Sequence, residues 1–194
     1  YTTMNYESEA IILEEFSKFF LNGSLYQGSK PVMWSPVEKT ALAEAEIEYQ
    51  DINSISMYIS FDIKKSSLSI LKNTSVIIWT TTPWTIPGNR AIAYGHSINY
   101  CIFEVLESDD SSIKKKKYLV AESLLNKVCK YCNIKKTKIL ETIKGEDLEN
   151  IICSHPFLKL GYDYDIPLLK ANFVEETEGT GFVHIAPCYG EDDY

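Results

Sequence analysis

Apolar and polar residues alternate from Met57 to Ile63, with Met57, Ile59, Phe61 and Ile63 on one side, which predicts a strand with one buried face. Val76-Ile77-Ile78 is a continuous β-branched run and predicts a buried strand reaching Thr82. Further strands are expected over 89–94, 100–106, 118–120, 136–143 and 180–187. Helical spacing is confined to a few places. Residues 5–22 carry Ile12, Phe16, Phe19 and Phe20 on one stripe and stop at Gly23, and residues 121–132 carry Leu124, Leu125, Val128 and Cys132 on one face. A short helix is expected over 145–152, a loop over 107–117 and turns over 161–167. Residues 40–49 read two ways. Ala, Leu and Glu favour helix, yet Ala43, Ala45, Ile47 and Tyr49 alternate with Glu44, Glu46 and Glu48, so a strand is expected in the second half. Many short strands and few helices predict an α/β, β-rich fold: a curled or closed, barrel-like sheet with a few flanking helices.

Two stretches fit a core poorly. In Trp79-Thr80-Thr81-Thr82-Pro83-Trp84-Thr85, three threonines stand where a strand leaves its sheet, because Pro83 and then Pro87-Gly88 end the ladder. Hydroxyls and freed backbone N–H groups there would face one crevice. A threonine-rich strand end explains the run equally well, since threonine favours strands. The second stretch, Gly179-Thr180-Gly181-Phe182-Val183-His184-Ile185-Ala186-Pro187, is a strand with glycines at its mouth, followed by Glu191-Asp192-Asp193. His184 faces opposite to Val183 and Ile185. A satisfied structural histidine and a solvated acidic turn account for these residues. So does a pocket with an imidazole wall and a carboxylate for a cationic amine.

Composition narrows the classes. At 194 residues with 45% hydrophobic content, the chain suffices for one domain with a proper core. No apolar run is long enough to span a bilayer and no signal peptide opens the sequence, so a cytoplasmic protein without membrane contact is expected. Five cysteines are an odd number and read as reduced thiols. Cys129 and Cys132 form C-x-x-C, but no second pair or paired histidine completes a zinc set, so no metal is expected. The net charge of −8 is uneven: residues 113–144 hold ten lysines and two acids, the remainder nine bases and 25 acids. Such a strip suits a polyanion. For Lys114–Lys117 alone, a solvated loop is the better reading. No G-x-G-x-x-G, P-loop or G-x-S-x-G occurs, which favours a positioned water over a side-chain nucleophile should the chain be a hydrolase.

The run from Trp79 through Asn89 resembles the threonine-rich editing motif of the isoleucyl-tRNA synthetases, and Gly179–Pro187 with Gly190–Tyr194 resembles their second editing motif. Lys30–Pro36 and Thr40–Glu46 match the start of the same insertion. Valyl and leucyl relatives carry an arginine just before the motif's proline, where this chain has Thr82. The family's two ATP-site signatures, of the His-Ile-Gly-His and Lys-Met-Ser-Lys-Ser types, do not occur. The resemblance therefore implies an opening helix and hairpin at the boundary of the parent catalytic domain (residues 1–40) and an editing domain (residues 41–194). No cofactor is implied for this stretch; ATP and magnesium are implied for the parent. Cysteines that some bacterial relatives carry in the hairpin are replaced here by Ser35 and Glu38.

The implied activity is hydrolysis of the ester in mischarged valyl-tRNA(Ile), with the tRNA acceptor end and the remainder of the parent synthetase as partners. Carried over by position, Asp193 would hold the α-ammonium, His184 and Thr82 would wall the side-chain pocket, and Thr80 and Thr81 would grip the adenosine and ester and help place water. Trp84 would flank the adenosine or support the motif, Asn89 would bond substrate or brace the loop, and Gly181 would be a substrate-binding residue. The alternatives are a non-catalytic tRNA-docking insertion, supported only by the lysine strip, and an editing domain of a valyl or leucyl relative.

Overall fold

A computed structural model describes residues 2–194. Helix α1 spans Tyr6–Leu21, capped by Asn5, whose side chain accepts the Glu7 N–H. Its stripe is amphipathic as expected, but Phe16, Phe19 and Phe20 are all more than half exposed and none of its described residues is buried. A small hairpin follows, with two-residue strands β1 (Trp34–Ser35) and β2 (Thr40–Ala41). The strand expected beyond Thr40–Ala41 does not form. Glu44–Glu46 is a 3₁₀ turn in which the Ala43 N–H donates to the Glu46 carboxylate. Alternation with alanine offers too little apolar bulk to hold a strand that has no partner.

The body is one nine-stranded sheet. In chain order its strands are β3 (Met57–Lys65), β4 (Thr74–Thr80), β5 (Ala91–Tyr94), β6 (Asn99–Ser108), β7 (Lys117–Ala121), β8 (Ile134–Lys144), β9 (Ile152–Ser154), β10 (Asp165–Lys170) and β11 (Phe182–Ile185). Their order across the sheet is β11-β5-β10-β9-β3-β4-β7-β6-β8; β4–β7 and β5–β10 are parallel and the rest antiparallel. The expected β-rich α/β class holds, and the sheet is curled but not closed: β11 and β8 remain its edges. Hydrogen bonds draw β11 toward the middle of the sheet without a closing ladder. Ala121 N–H, at the end of β7, donates to Thr180 O (2.8 Å), and the Tyr100 hydroxyl on β6 donates to Gly181 O (2.7 Å).

Strand period two sorts the core. Val76, Ile78, Tyr100, Ile102 and Leu119 face the main interior, while Ile77, Cys101, Phe103, Tyr118 and Val120 face a second cluster. Helix α2 (Leu125–Tyr131) covers that second cluster through Leu125 and Val128, following a 3₁₀ turn at Glu122–Leu124. The central strands are thus buried on both faces and carry unbroken apolar runs. The helix expected over 145–152 is only a 3₁₀ turn, Gly145–Leu148, and Ile152 already belongs to β9. The turn-rich reading of 161–167 missed β10, which carries Pro167 within it. Among the described residues no helix is long and apolar enough to cross a membrane.

The C-x-x-C cysteines sit at the end of α2 against the second cluster. Burial pushes both thiols up, Cys132 to about 11, which keeps them protonated and unreactive at neutral pH. Acids face the lysine strip at several positions along the sheet. Glu104 lies between Lys117 on β7 and Lys138 on β8, Glu107 pairs with Lys136, and Lys135 forms an ion pair with Asp109. Lysines on the edge strand β8 also discourage strand pairing with other chains.

Candidate functional site

Strand β4 ends at Thr80, and Pro83 opens a 3₁₀ helix over Pro83–Gly88. Proline suits that first position because the N–H it lacks would be unpaired there anyway. Thr82 between them has neither strand nor helix backbone (φ −123°, ψ 62°). Its N–H donates to Thr80 Oγ1 (3.1 Å), so this backbone donor is already used within the turn. Its carbonyl accepts twice, from the Thr85 N–H (3.0 Å) and the Thr85 hydroxyl (2.8 Å). The Thr80 and Thr82 hydroxyl oxygens lie 3.2 Å apart.

The other wall is β11 and its flanks. Gly181 (φ +77°) takes a left-handed conformation, and a Cβ there would meet Ala121 Cβ at 2.4 Å. Strand β11 pairs with β5, placing His184 beside Ile92. Beyond it the chain turns back so that Asp193 Oδ2 accepts the Ala186 N–H (2.9 Å).

Between these walls lies a cleft of about 520 Å³. Thr80, Thr81, Thr82, Trp84, Gly181, His184 and Asp193 all line it. Asn89 does not: it is fully buried behind His184, with its amide nitrogen 2.6 Å from His184 Nδ1 and 2.9 Å from the Ala91 carbonyl. Thr85, given no role from the sequence, lies 2.9 Å from His184 Nε2. A signal for it existed, because residues three apart eclipse in a 3₁₀ turn and Thr82 and Thr85 have that spacing. Tyr189, Phe173 and Glu175 also line the cleft, and nothing in the sequence singles them out. Trp84 stands at the lip, 64% exposed.

His184 therefore has a protein partner on each ring nitrogen. Burial lowers its pKa, opposed in part by Asp193 and reinforced by His155. His155 is likewise engaged on both sides. Its Nδ1 accepts the Phe157 N–H (3.0 Å), Nε2 faces Ile86 O (2.9 Å), and its ring stacks on Tyr162. Burial lowers its pKa too, against the bond to Ile86 and with help from Arg90. A second, larger groove of about 660 Å³ runs past His155 and Pro83, but its histidine nitrogens are directed at the protein.

Two neutral buried imidazoles have a consequence for stability. The unfolded chain takes up protons at mildly acid pH that the folded chain refuses. Stability is expected to be level above about pH 6.5 and to fall as pH drops below it, by at most ~1.4 kcal/mol per pH unit for each histidine. Urea midpoints at pH 7.5 and 5.5 check this; equal midpoints would contradict the buried neutral pair.

The family of class I tRNA synthetases (I, L, M and V) matches residues 1–176. The isoleucine–tRNA ligase of Pelagibacter ubique (strain HTCC1062) is 55% identical over 194 residues, covering all of this chain and 21% of the ligase. That of Gluconobacter oxydans (strain 621H) is 50% identical over 198 residues, covering all of this chain and again 21% of the relative. The chain thus spans about a fifth of the length of these relatives. Among solved structures, the P. knowlesi cytosolic leucyl-tRNA synthetase editing domain matches with a TM-score of 0.56 at 16% identity, over 72% of this chain and 59% of that one. GlLeuRS-CP1 matches with a TM-score of 0.54 at 18% identity, over 71% and 58%. At such identities these two speak for the fold alone.

Proposed function

The chain belongs to the class I tRNA synthetases, and from that premise we propose that it is the editing part of an isoleucine–tRNA ligase, hydrolysing the ester of valine misattached to tRNA(Ile). The observation that carries this reading is the meeting, in one small cleft, of the Thr80–Thr82 hydroxyls with the Asp193 carboxylate and the His184 ring. Residues 41–194 form the hydrolytic unit in this reading, and residues 1–40 join it to the remainder of the parent enzyme.

Such a site has a physical purpose. A pocket built for isoleucine cannot strongly reject valine, because one methylene is worth only about 1–3 kcal/mol, a general figure for which this amino-acid pair is the usual example. A second chamber that admits valine and excludes isoleucine then removes the error. Asp193 Oδ2 is held by the Ala186 N–H, which fixes the carboxylate and leaves Oδ1 for the substrate ammonium. Water attacks the ester carbonyl carbon, and the bond from that carbon to the ribose oxygen breaks. The ribose oxygen takes a proton, releasing valine and intact tRNA. With both nitrogens engaged, His184 has no lone pair with which to deprotonate water. That supports catalysis by positioned water, assisted by the neighbouring ribose hydroxyl, with the Thr80 and Thr81 hydroxyls stabilising the developing oxyanion.

The direct test is deacylation of valyl-tRNA(Ile) by the chain, with a valyl ester of adenosine as a small control substrate that does not depend on tRNA affinity. Turnover of the valyl esters well above the isoleucyl esters supports the reading, and no turnover of either valyl ester removes it. The sieve has its own test. Thr82→Ala enlarges the chamber by about the volume that separates isoleucine from valine, so isoleucyl-ester hydrolysis should rise roughly tenfold. An unchanged ratio of valyl to isoleucyl rates would take Thr82 out of the wall.

A further inference from the structure

The turn Pro83–Gly88 divides two cavities. Thr82 and Trp84 line the cleft, while Pro83 and Ile86 line the groove on the opposite side. Such a turn is poorly supported from within. The last carbonyls of a helix lack intrahelical donors, and Pro83 and Pro87 supply no N–H. Side chains outside the cleft make up the shortfall. His155 Nε2 lies 2.9 Å from Ile86 O. The Tyr164 hydroxyl lies 3.3 Å from Pro87 O and 3.1 Å from Asn89 O and shares its one hydrogen between them.

The His155 bond has a fixed direction. The Phe157 N–H can only donate, so Nδ1 accepts it (3.0 Å), and the proton of the neutral ring stands on Nε2. Ile86 O can only accept, so it receives that proton. Both partners are backbone groups, and no amide or hydroxyl has to be oriented to reach this assignment. The ring itself is immobilised: it is buried, stacks on Tyr162 with centroids 4.8 Å apart, and meets Phe61 edge-on. Tyr164 is held in turn by the Arg90 guanidinium, 4.3 Å from its ring centre. His155 directly follows β9 and Tyr164 directly precedes β10, strands that pair at Ser154 and Asp165. Both contacts therefore spring from one strand pair within the sheet.

We infer that His155 and Tyr164, neither of which lines the cleft, are positioning residues for its size discrimination: they grip the turn from outside and fix how far Thr82 stands from the opposing wall. This rests on the editing reading and adds to it two residues beyond the chamber. A sieve that separates valine from isoleucine by one methylene works only if its walls cannot give by that length. With either grip lost, Thr82 can retreat and the chamber widens.

Tyr164→Phe removes one hydroxyl and leaves the ring on Arg90. For adenosine esters hydrolysed by the 194-residue chain, its ratio of valyl to isoleucyl kcat/KM should fall about tenfold. His155→Leu, which has no donor for Ile86 O, should shift the ratio the same way. His155→Gln, whose amide can still donate to that carbonyl, should stay within about threefold of the wild-type ratio. A role in stability alone would lower both rates with the folded fraction and leave the ratio where it was. An unchanged ratio in Tyr164→Phe or in His155→Leu overturns the role of that residue, and a ratio that falls as far in His155→Gln as in His155→Leu overturns the hydrogen bond as its cause. Long-range ¹H–¹⁵N correlations should show wild-type His155 in the Nε2–H form; the Nδ1–H form contradicts the grip on Ile86. Should the wild-type chain hydrolyse no valyl ester, the editing reading fails and the positioning role with it. A wild-type chain that discriminates, beside variants that discriminate equally well, removes the positioning role alone.

Discussion

Asp193→Ala is expected to lower hydrolysis of a valyl ester by about a hundredfold, the ~3 kcal/mol that a charge-assisted contact in a shielded site can be worth. Asp193 does two things that a single variant would confuse. Its Oδ2 receives the Ala186 N–H and so braces the turn after β11, and its charge is proposed to hold the substrate ammonium. Asp193→Asn separates these roles, because an amide oxygen still accepts from Ala186 but carries no charge. Both variants should lose activity, while Asp193→Asn keeps the wild-type melting temperature. An Asp193→Asn protein with full activity would show that the carboxylate acts only as a brace.

The largest effect on stability is expected at Gly181. A side chain there must adopt a left-handed backbone (φ +77°), and its Cβ would stand 2.4 Å from Ala121 Cβ and 3.3 Å from the Tyr100 ring. The same backbone carries the carbonyl that anchors the Tyr100 hydroxyl (2.7 Å), so strain at Gly181 pulls on the contact that curls the sheet. Gly181→Ala should cost about 3 kcal/mol or more, a fall of roughly 10 °C in Tm for a chain of this size. Gly161 provides the control. Its φ is +95°, but nothing lies within 4 Å of a Cβ built there, so Gly161→Ala bears only the backbone cost of about 1–2 kcal/mol. Equal losses at the two positions in thermal denaturation would mean that the clash with Ala121 is relieved cheaply.

Much of the architecture was legible because central strands buried on both faces leave unbroken apolar runs. Val76–Ile78 and Tyr100–Phe103 could hardly be anything else. The failures have physical causes. Strand β9 is three residues long and β10 contains a proline, so neither shows an alternating pattern; both exist because neighbours supply their partners. Residues 44–48 show the opposite case, a clean alternation with nothing to pair against. The sheet's failure to close was beyond reach, since closure depends on whether edge strands meet and not on the pattern within any strand. For the cleft, the two motifs were visible as threonines at a strand exit and as a histidine and acids after a glycine pair. What the sequence did not reveal was depth. Asn89 could equally bond substrate or brace the loop, and it lies behind the wall against His184, while Thr85 looked like the tail of a motif and lies at the centre of its hydrogen bonds. The lysine strip illustrates the same limit: its charge was plain, but the acids of β6 that face it came from outside the strip.

The most direct test is a crystal of this chain with a non-hydrolysable adenosine that carries valine through an amide in place of the ester. Editing at this cleft requires the valyl ammonium within hydrogen-bonding distance of Asp193 and the isopropyl group against His184 and Thr82. An analogue seated in the groove beside His155, or bound in the cleft with its ammonium directed away from Asp193, would contradict it.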